Sequence, residues 1–540
     1  MPRGRTIAIV SGVTVLALGA AGGGAYYVLH TRGTPAETAQ RFATAWQSGD
    51  QARMTAELAA PQQLTPYDQL RTALGVESTT VKLGRPTETG DDRATVPYTA
   101  THRLKNLGEW TYEGAIDLKV AERHWKVDWT PKTLHPSLTS AAPFALKAGW
   151  PDRAEITDAS GDRIDSGAVG GSVQQLVGYL DKATKKDVQK LGTAYKVGQA
   201  VGRGGLQETF QKRLAGTPTT EIQAGGKTLE TIEGTDGESL RTTLDPRVQA
   251  AAVAAVKDVD KPTSLVAIKA SKGEILAVVN NRGGFNRALD GRYAPGSTFK
   301  AVTAIGLLAE GISPKQTVTC PQYATVGGLK IRNSEKAEYG SLSFQDSFAH
   351  SCNTTFAPLA KQHLGADKLL STAETVGFNQ PLTIGVPATK ASFPKAESDA
   401  ELAAESFGQG RITASPLSMA SVAAAIADGT WRPPTLVPDH DHKATEQELP
   451  SDVVPQLHAM MSAVVTKGTA KAAGLPAGTR GKTGTAEYGT GPKLDSHAWF
   501  IGFKDDVAFA VVVEGGGGGG KVAAPIGADF LRELGDFRSE

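Results

Sequence analysis

The feature of this sequence that most restricts its fold is a Pro-Gly turn, Pro295-Gly296, that leads directly into an apolar segment. Pro-Gly is a strong turn signal, and from Ser297 the chain continues without a break to Gly311, which is suited to end a helix. The segment is apolar almost all round, so we expect a helix buried in the middle of a domain. It nevertheless carries a serine in its first turn and Lys300 three residues later.

Ser297 and Lys300 are a candidate nucleophile and base. Positions i and i+3 of a helix share a face, so the lysine amine can reach the serine hydroxyl. A serine is a weak nucleophile until a base lies beside it, and a lysine in apolar surroundings loses part of its preference for charge. Backbone N–H groups at the helix N-terminus suit a developing oxyanion. A second Ser-x-x-Lys, at residues 392–395, contains Pro394, which breaks the helix that would align its ends.

Two further motifs follow, Ser351-Cys352-Asn353 and Lys482-Thr483-Gly484-Thr485. The order Ser-x-x-Lys, Ser-x-Asn, Lys-Thr-Gly is typical of penicillin-binding proteins, and class A β-lactamases share it with Asp in the middle motif. On these motifs the C-terminal half of the chain resembles the transpeptidase domain of class B penicillin-binding proteins.

The resemblance implies acyl transfer by Ser297 with Lys300 as the base. The serine would attack the D-Ala-D-Ala carbonyl of a peptidoglycan stem peptide and expel D-Ala. An amine of a neighbouring stem peptide would then resolve the acyl-enzyme to form a cross-link. β-Lactam antibiotics would acylate the same serine because they resemble that substrate. The resemblance implies no metal and no organic cofactor.

The middle motif offers two polar side chains. In an extended or loop segment positions i and i+2 point the same way, so Ser351 and Asn353 can both face a cleft. The Ser351 hydroxyl could then relay a proton from Lys300 to the leaving amine, and Asn353 could hold a substrate amide. The alternative is that these residues cap a helix that begins near Thr354.

The Lys-Thr-Gly strand completes the predicted site. Lys482 would supply positive charge, and the hydroxyls of Thr483 and Thr485 would bind a carboxylate. Gly484 would let a ligand approach the backbone closely. By resemblance to the family, the backbone N–H groups of Ser297 and Thr485 form the oxyanion hole. Lys482 considered alone could be a solvated lysine at a strand edge.

Residues 241–540 are predicted to form the transpeptidase (penicillin-binding) domain, with a serine β-lactamase-like α+β fold. A hairpin at residues 264–268 and 274–279 precedes the motifs. Three more strands are predicted at residues 482–487, 497–503 and 507–513, and a closing helix at 523–534. Together these imply a five-stranded antiparallel sheet with helices. The glycine run at residues 515–520 is interpreted as a mobile loop near the sheet edge.

Residues 34–140 are predicted to form a separate α+β domain. Thr34-Pro35-Ala36-Glu37 is a capping box with proline at the first helical position. Apolar and polar residues then alternate over residues 110–120 and 125–129, as in antiparallel strands. The pattern resembles the NTF2-like N-terminal extension of methicillin-resistance-type class B penicillin-binding proteins. We interpret it as a spacer or a platform for partner proteins.

Residues 141–240 are interpreted as a pedestal or dimerisation-type linker domain. Two segments, 150–156 and 205–216, resemble the pedestal of class B enzymes, although Ala154, Gln207 and Phe210 depart from the family pattern. The alternative is an ordinary connector between domains.

Residues 1–33 are predicted to be a short cytoplasmic segment and a transmembrane anchor. Residues 6–29 carry no charge and are long enough to span a bilayer. The arginines ahead of them favour a cytoplasmic N-terminus. The catalytic domain would then lie outside the cell membrane, held by a single span. A cleaved signal peptide is the alternative.

Charge and cysteine content limit the partners. A net charge of +1 with 21% charged residues does not suggest nucleic-acid binding. In an extracellular domain Cys320 and Cys352 are predicted to form a disulfide that braces the active-site loop. The family resemblance implies peptidoglycan stem peptides and β-lactams as ligands. It also implies a glycosyltransferase and proteins of the divisome or elongasome as partners.

Other functions remain open at this level. A β-lactam sensor or a non-catalytic scaffold of the division or elongation machinery would keep the same domains. A D,D-carboxypeptidase or a β-lactamase would release the acyl group to water. Class A β-lactamases use a glutamate-activated water, and no matching Glu-x-x-x-Asn segment follows Ser351.

Overall fold

The computed structural model describes residues 33–537, except residues 106, 139–141, 168–169, 193, 442 and 491–493. The predicted anchor at residues 6–29 lies outside the described part of the chain. Within the described part, no helix is both long and apolar enough to cross a bilayer. The chain divides into two compact units. The first comprises the residues up to Asp152 with Asp181–Ala200 and Ala215–Gly237; the second comprises Arg153–Leu180, Val201–Leu214 and Glu238–Glu540.

The first unit begins with three helices and an antiparallel sheet. The helices are α1 (Pro35–Ser48), α2 (Gln51–Ala56) and α3 (Thr65–Leu74), and the strands are β1 (Val76–Leu83), β2 (Thr87–Glu88), β3 (Arg93–Leu104), β4 (Gly108–Ala121) and β5 (His124–Val127). The sheet order is β1-β3-β4-β5, with β2 paired to β3. Helix α1 has the predicted capping box, in which Thr34 and Glu37 bond each other's backbone N–H groups.

The core of this unit lies between α1 and the sheet. Helix α1 buries one face, which includes Phe42 and Trp46. Gly114 interrupts the apolar alternation of β4 for a steric reason, since a Cβ there would lie 2.3 Å from the Tyr98 hydroxyl of the neighbouring strand. The glycine therefore makes room for the Tyr98 ring.

Residues 144–241 contribute short elements to both units. They are β6 (Phe144–Gly149), β7 (Ile156–Thr157), α4 (Gly171–Val177), β8 (Tyr179–Lys182), α5 (Lys185–Leu191), β9 (Ala200–Arg203), α6 (Gly205–Thr209), α7 (Gln211–Ala215), β10 (Thr219–Ala224), β11 (Lys227–Ile232) and β12 (Leu240–Arg241). The two pedestal-like segments meet in the second unit, where Arg153 Nε donates to Gln207 Oε1 at 2.8 Å. The pedestal assignment itself stays a prediction.

The second unit is built on the predicted five-stranded antiparallel sheet. Its strands are β13 (Thr263–Lys269), β14 (Glu274–Asn280), β21 (Arg480–Tyr488), β22 (Asp495–Lys504) and β23 (Val507–Val513). Their order is β14-β13-β23-β22-β21, so strands from both ends of the domain lie side by side. Every residue of β23 is buried, as expected for a central strand covered on both faces.

Helices cover this sheet. Helix α8 (Pro246–Val256) and the closing helix α17 (Ala523–Leu534) pack on each other and on the sheet, and α15 (Pro416–Asp428) packs against β13, β22 and β23. The intervening elements are α9 (Arg287–Asp290), α10 (Lys300–Ala309), β15 (Thr317–Cys320), β16 (Tyr323–Val326), β17 (Leu329–Arg332), β18 (Gly340–Ser343), α11 (Phe344–Ala349), α12 (Asn353–Leu359), α13 (Gly365–Thr375), α14 (Asp399–Glu405), β19 (Thr430–Trp431), β20 (Gln447–Glu448) and α16 (Val453–Thr466).

The helix that carries the candidate nucleophile differs from the prediction in its first turn. Gly296–Phe299 is a 3-10 helix, and the α-helix starts only at Lys300. The Thr298 hydroxyl donates to the Pro295 carbonyl at 2.7 Å, which tightens the turn locally. The remainder is buried as predicted, from Lys300 to Leu308.

Candidate active site

Ser297 and Lys300 are brought together by the 3-10 turn. Side chains at i and i+3 of a 3-10 helix eclipse each other, and Lys300 Nζ donates to Ser297 Oγ at 2.7 Å. The serine is half-buried, whereas the lysine has no exposed surface. The hydroxyl therefore faces a cleft, whereas the amine that could deprotonate it is shielded from solvent by the protein.

Burial changes the proton affinity of Lys300. The side chain lies 5.9 Å from the ring centre of Phe356 and 5.8 Å from that of Phe407. Burial, together with the charge of Lys482, lowers the pKa of Lys300 well below its ordinary value. A neutral amine with a free lone pair is the form that accepts a proton from serine. The surroundings therefore favour the basic form of Lys300.

The Ser-x-Asn motif contacts the same amine. Lys300 Nζ lies 2.6 Å from Asn353 Oδ1 and 3.3 Å from Ser351 Oγ. Ser351 adopts a left-handed backbone with φ +64°, a conformation that costs energy for a residue other than glycine and often marks a functional site. Asn353 is the first residue of α12, close to the predicted helix start, and no side-chain cap bond forms there.

Lys482 reaches the site from the sheet edge. Its Nζ donates to Ser351 Oγ at 2.9 Å and to the Thr483 carbonyl at 3.0 Å. It is fully buried, not a solvated edge lysine. Burial lowers the pKa of Lys482 to about 7. Ser351 Oγ thus accepts from two lysines and links Lys300 to Lys482.

Glycines set the spacing between the turn and the strand. A Cβ on Gly296 would lie 2.7 Å from the Thr485 carbonyl oxygen, and a Cβ on Gly484 would lie 2.8 Å from Thr298 Cγ2. This close approach brings the backbone of Thr485 beside Ser297. The carbonyl of Gly408, shortly after α14, accepts from the Gly296 N–H at 2.9 Å.

A disulfide joins Cys320 and Cys352 next to the site. Beside it, the buried Asn333 donates through Nδ2 to the Pro321 carbonyl, the Ala337 carbonyl and Thr354 Oγ1. Asn333 thus ties the disulfide to the first turn of α12. Sequence reasoning missed this residue, and an isolated asparagine in a loop gives no signal of such a role.

Two cavities share Ser297 as a lining residue. One, of ≈260 Å³, has Ser351, Thr469, Thr483 and Lys521 among its lining residues. The other, of ≈300 Å³, is lined by residues of β17 together with Phe407 and Leu494. Ser297 and Thr485 line both. Both cavities therefore offer space next to the serine.

The glycine run at residues 515–520 is a wall of the first cavity. It forms no helix or strand, as expected, but its close contacts differ from those of a free loop. A Cβ on Gly519 would lie 2.2 Å from the Trp499 carbonyl oxygen and 2.3 Å from that of Gly484. Glycine is required here by close packing on the sheet. The sequence showed the run but not its contact with the Lys-Thr-Gly strand.

Comparisons with known proteins agree with this geometry. Residues 263–532 match the penicillin binding protein transpeptidase domain, and residues 34–142 match the NTF2-like N-terminal transpeptidase domain. The peptidoglycan D,D-transpeptidase PbpA of Mycolicibacterium smegmatis is 32% identical over 388 residues, which cover 61% of this chain and 76% of that protein.

Two solved structures share the fold. Pseudomonas aeruginosa PBP2 in complex with WCK 5153 has a TM-score of 0.62 at 24% identity, covering 72% of this chain and 96% of that chain. A complex between PBP2 and MreC from Helicobacter pylori has a TM-score of 0.62 at 20% identity, covering 73% and 99%. The chain therefore belongs to the penicillin-binding protein transpeptidase family, as a class B peptidoglycan D,D-transpeptidase with an NTF2-like N-terminal domain.

Proposed function

We propose that Ser297 is the nucleophile of this transpeptidase and forms an acyl-enzyme with the penultimate D-Ala of a stem peptide. The observation that carries the proposal is the 2.7 Å contact between Ser297 Oγ and a buried Lys300 amine. Neutral Lys300 takes the hydroxyl proton as Ser297 Oγ attacks the scissile carbonyl. The backbone N–H groups of Ser297 and Thr485 stabilise the oxyanion.

The leaving amine receives its proton through Ser351. Contacts of 3.3 Å from Lys300 Nζ and 2.9 Å from Lys482 Nζ to Ser351 Oγ support this relay. The Thr483 and Thr485 hydroxyls bind the terminal carboxylate of the substrate, and Asn353 binds an amide of the peptide. An acceptor amine then attacks the ester carbon and returns a proton to Ser297 Oγ. The C–O bond breaks as the cross-linking C–N bond forms.

β-Lactams react with the same serine in this proposal. The test is labelling of the full-length protein in detergent by a fluorescent penicillin, compared with Ser297→Ala. We expect a label in the wild type that persists for hours and is absent from the variant. Labelling of Ser297→Ala at the wild-type rate would contradict the assignment, and rapid loss of label from the wild type would favour hydrolysis. Thermal melting of both proteins controls for folding.

We further propose that the chain is a single-pass membrane protein whose catalytic domain is extracytoplasmic and works with a glycosyltransferase and elongasome or divisome proteins. The uncharged residues 6–29 support the anchor. A partner of the elongation machinery is supported by the Helicobacter pylori structure of the same fold, which is a complex of PBP2 with MreC. The NTF2-like domain is the surface we assign to partner binding.

A further inference from the structure

An exposed ion pair spans the mouth of the ≈260 Å³ cavity beside Ser297. Lys521 Nζ lies 2.9 Å from Glu335 Oε1, and both side chains are 80% exposed. Both residues line the cavity together with the Thr483 and Thr485 hydroxyls. The pair belongs to none of the three motifs, and the mechanism above does not use it.

The backbone of Lys521 is held against the catalytic strand. Gly519 packs on Gly484 and Trp499 without room for a Cβ, and its N–H donates to Thr485 Oγ1 at 3.4 Å. The Lys521 N–H donates in turn to the Gly518 carbonyl at 3.1 Å. The ammonium group is therefore carried on a short segment anchored to the strand that binds substrate.

Glu335 is presented to Lys521 by an unusual backbone. Glu335 and Lys336 both have left-handed backbones, with φ +55° and +56°, which non-glycine residues seldom adopt. The preceding Asn333 anchors this turn to the Cys320–Cys352 region through its hydrogen bonds. The carboxylate is thus held near the ammonium, while the pair remains in water. Exposed ion pairs are weak, so another carboxylate can displace Glu335 at little cost.

The cavity offers few other charges to a ligand. Lys300 and Lys482 are fully buried and already donate to Ser351. Burial lowers the pKa of His350, another lining residue, which favours its neutral ring. Among the described lining residues, Lys521 is the cation with solvent-exposed surface. An anionic group that enters the cavity therefore meets Lys521 and the threonine hydroxyls.

The reaction itself brings such a group to the cavity twice. The leaving D-Ala carries a carboxylate on the carbon next to its amine nitrogen. Resolution of the acyl-enzyme by an amine is the chemical reverse of acylation, so the attacking nitrogen must occupy the position that the leaving nitrogen vacated. An acceptor with a carboxylate on the carbon that bears its amine would place that carboxylate where D-Ala had its own.

We propose that Lys521 is a specificity determinant that binds the carboxylate next to the acceptor amine. The acceptor carboxylate displaces Glu335, with which Lys521 otherwise forms an ion pair. The inference rests on the proposed function of Ser297. The preferred acceptor is then an amine on a D-α-amino-acid centre. In the step, the amine attacks the Ser297 ester, the C–N bond forms, the C–O bond breaks, and the amine proton passes through Ser351 and Lys300 to Ser297 Oγ.

The experiment measures how one acyl-enzyme divides between acceptors. Full-length protein in detergent turns over an acyl-D-Ala thioester with D-alanine or D-alaninamide as acceptor, and the ratio of aminolysis to hydrolysis is recorded. This ratio does not depend on the acylation rate. We expect the wild type to prefer D-alanine, Lys521→Gln to reduce that preference about two- to fivefold, and Lys521→Arg to retain it. Glu335→Gln should increase the preference. Lys257→Gln, an exposed lysine after α8, is the matched control.

Two results would overturn the proposal. One is a wild type that does not distinguish D-alanine from D-alaninamide; the other is a Lys521→Gln variant with the wild-type preference. If Lys521→Gln does not acylate, Glu335→Gln decides, because an unchanged preference in that variant also rejects the proposal. Failure of the underlying function is distinguishable, since the wild type would then form no acyl-enzyme and no products from the thioester.

Discussion

At the scale of single residues, the site depends on two buried lysines that share one hydroxyl. The positive charge of Lys482 contributes to the lowered pKa of Lys300, after the larger effect of burial. Ser351 Oγ accepts from both amines and so separates them. A buried like-charge pair disfavours double protonation. The pair therefore keeps one amine neutral. We expect the neutral amine to be that of Lys300, which contacts Ser297.

This arrangement predicts a pH effect of Lys482→Gln on acylation. In the proposed reaction only neutral Lys300 accepts the Ser297 proton, so the acylation rate should rise as pH increases through the pKa of Lys300. Removal of the Lys482 charge raises the Lys300 pKa, and the acidic limb of the pH–rate profile should move to higher pH. At neutral pH the rate should fall by about 10²-fold or more. Stopped-flow acylation by a chromogenic β-lactam measures the profile. An unmoved acidic limb would contradict the coupling.

Another buried ionisable group, the Glu405 carboxyl, lies outside the reaction path. Glu405 at the end of α14 is fully buried, and neither carboxylate oxygen has a hydrogen-bond partner among the described residues. Burial, with a smaller effect of Glu401, raises the pKa of Glu405 to about 7. The residue is three positions before Gly408, whose carbonyl accepts from Gly296 in the nucleophile turn. Its ionisation therefore acts on a segment that supports Ser297.

The prediction for Glu405→Gln concerns stability against pH. Because the folded state favours the protonated acid, that contribution is complete below the unfolded pKa near 4.5 and is lost as pH rises through about 7. The variant cannot ionise, so its stability relative to the wild type should increase between pH 5 and pH 8 by about 1–3 kcal/mol. Denaturant unfolding at both pH values measures the difference. A relative stability that is equal at both would show that Glu405 does not titrate in this range.

Glu401→Gln is the opposite control. The hydrogen bond from Arg411 lowers the pKa of Glu401, so that contribution is present above the unfolded pKa and lost in acid. The relative stability of this variant should fall, not rise, between acid and neutral pH.

At the scale of elements, the contacts of the glycine run with the Lys-Thr-Gly strand position one wall of the cleft. Gly519 and Gly518 are adjacent but differ in surroundings. A Cβ on Gly519 would overlap the carbonyl oxygens of Trp499 and Gly484, whereas a Cβ on Gly518 would meet nothing within 4 Å. Neither glycine has a positive φ, so the difference is one of space alone.

This pair of glycines predicts contrasting variants. Gly519→Ala should force the run away from β21, destabilise the protein by about 1–3 kcal/mol and slow acylation. Gly518→Ala should stay within about 0.5 kcal/mol of the wild type. Thermal melting and penicillin acylation rates measure both effects. Equal behaviour of the two variants would mean that the run can shift without consequence and that close packing does not hold it.

The NTF2-like sheet holds a cluster that sequence patterns did not indicate. His102 is fully buried and bonds Thr79 and Tyr112 through its two ring nitrogens. Burial lowers the pKa of His102 to about 4, and that of His135 beside it also to about 4. Both rings stack among Trp110 and Tyr112. Neutral histidines with hydrogen-bond partners at these positions indicate a structural role for the cluster.

At the scale of the whole molecule, the predicted anchor and the disulfide belong to one expectation, namely a catalytic domain outside the membrane. Disulfides persist in oxidising compartments, and the Cys320–Cys352 bond lies within the second unit. We predict that the full-length protein sediments with membranes after carbonate extraction and that a chain beginning at Thr34 does not. A full-length protein that is released by carbonate would contradict the anchor.

Thiol counting extends the same prediction. The chain has two cysteines, so unfolded, unreduced protein recovered from the membrane should contain no reactive thiol. Two reactive thiols would show that the bond does not form in the cell. Reduction of the Cys320–Cys352 disulfide should loosen the turn that carries Ser351 and Asn353. It should lower the free energy of unfolding by about 2–4 kcal/mol.

The reaction class, the α+β fold and the elements that carry the motifs could be predicted without the structure. Caps, periodicity and turn residues act over a few positions, and so the α1 capping box, the hairpin of β13 and β14 and the helix α17 could be predicted from local patterns alone. The spacing of Ser297 and Lys300 is likewise a property of one helical turn. The contacts between residues far apart in the chain depend instead on the tertiary structure.

Only packing joins Ser351 to both lysines, makes Lys482 a buried group with a lowered pKa and presses Gly519 on the catalytic strand. Only packing brings Lys521 next to Glu335, at a sequence separation of 186 residues. The reason is physical: distances, burial and proton affinities depend on which strands and loops become neighbours, and that depends on the sheet order and on the whole core.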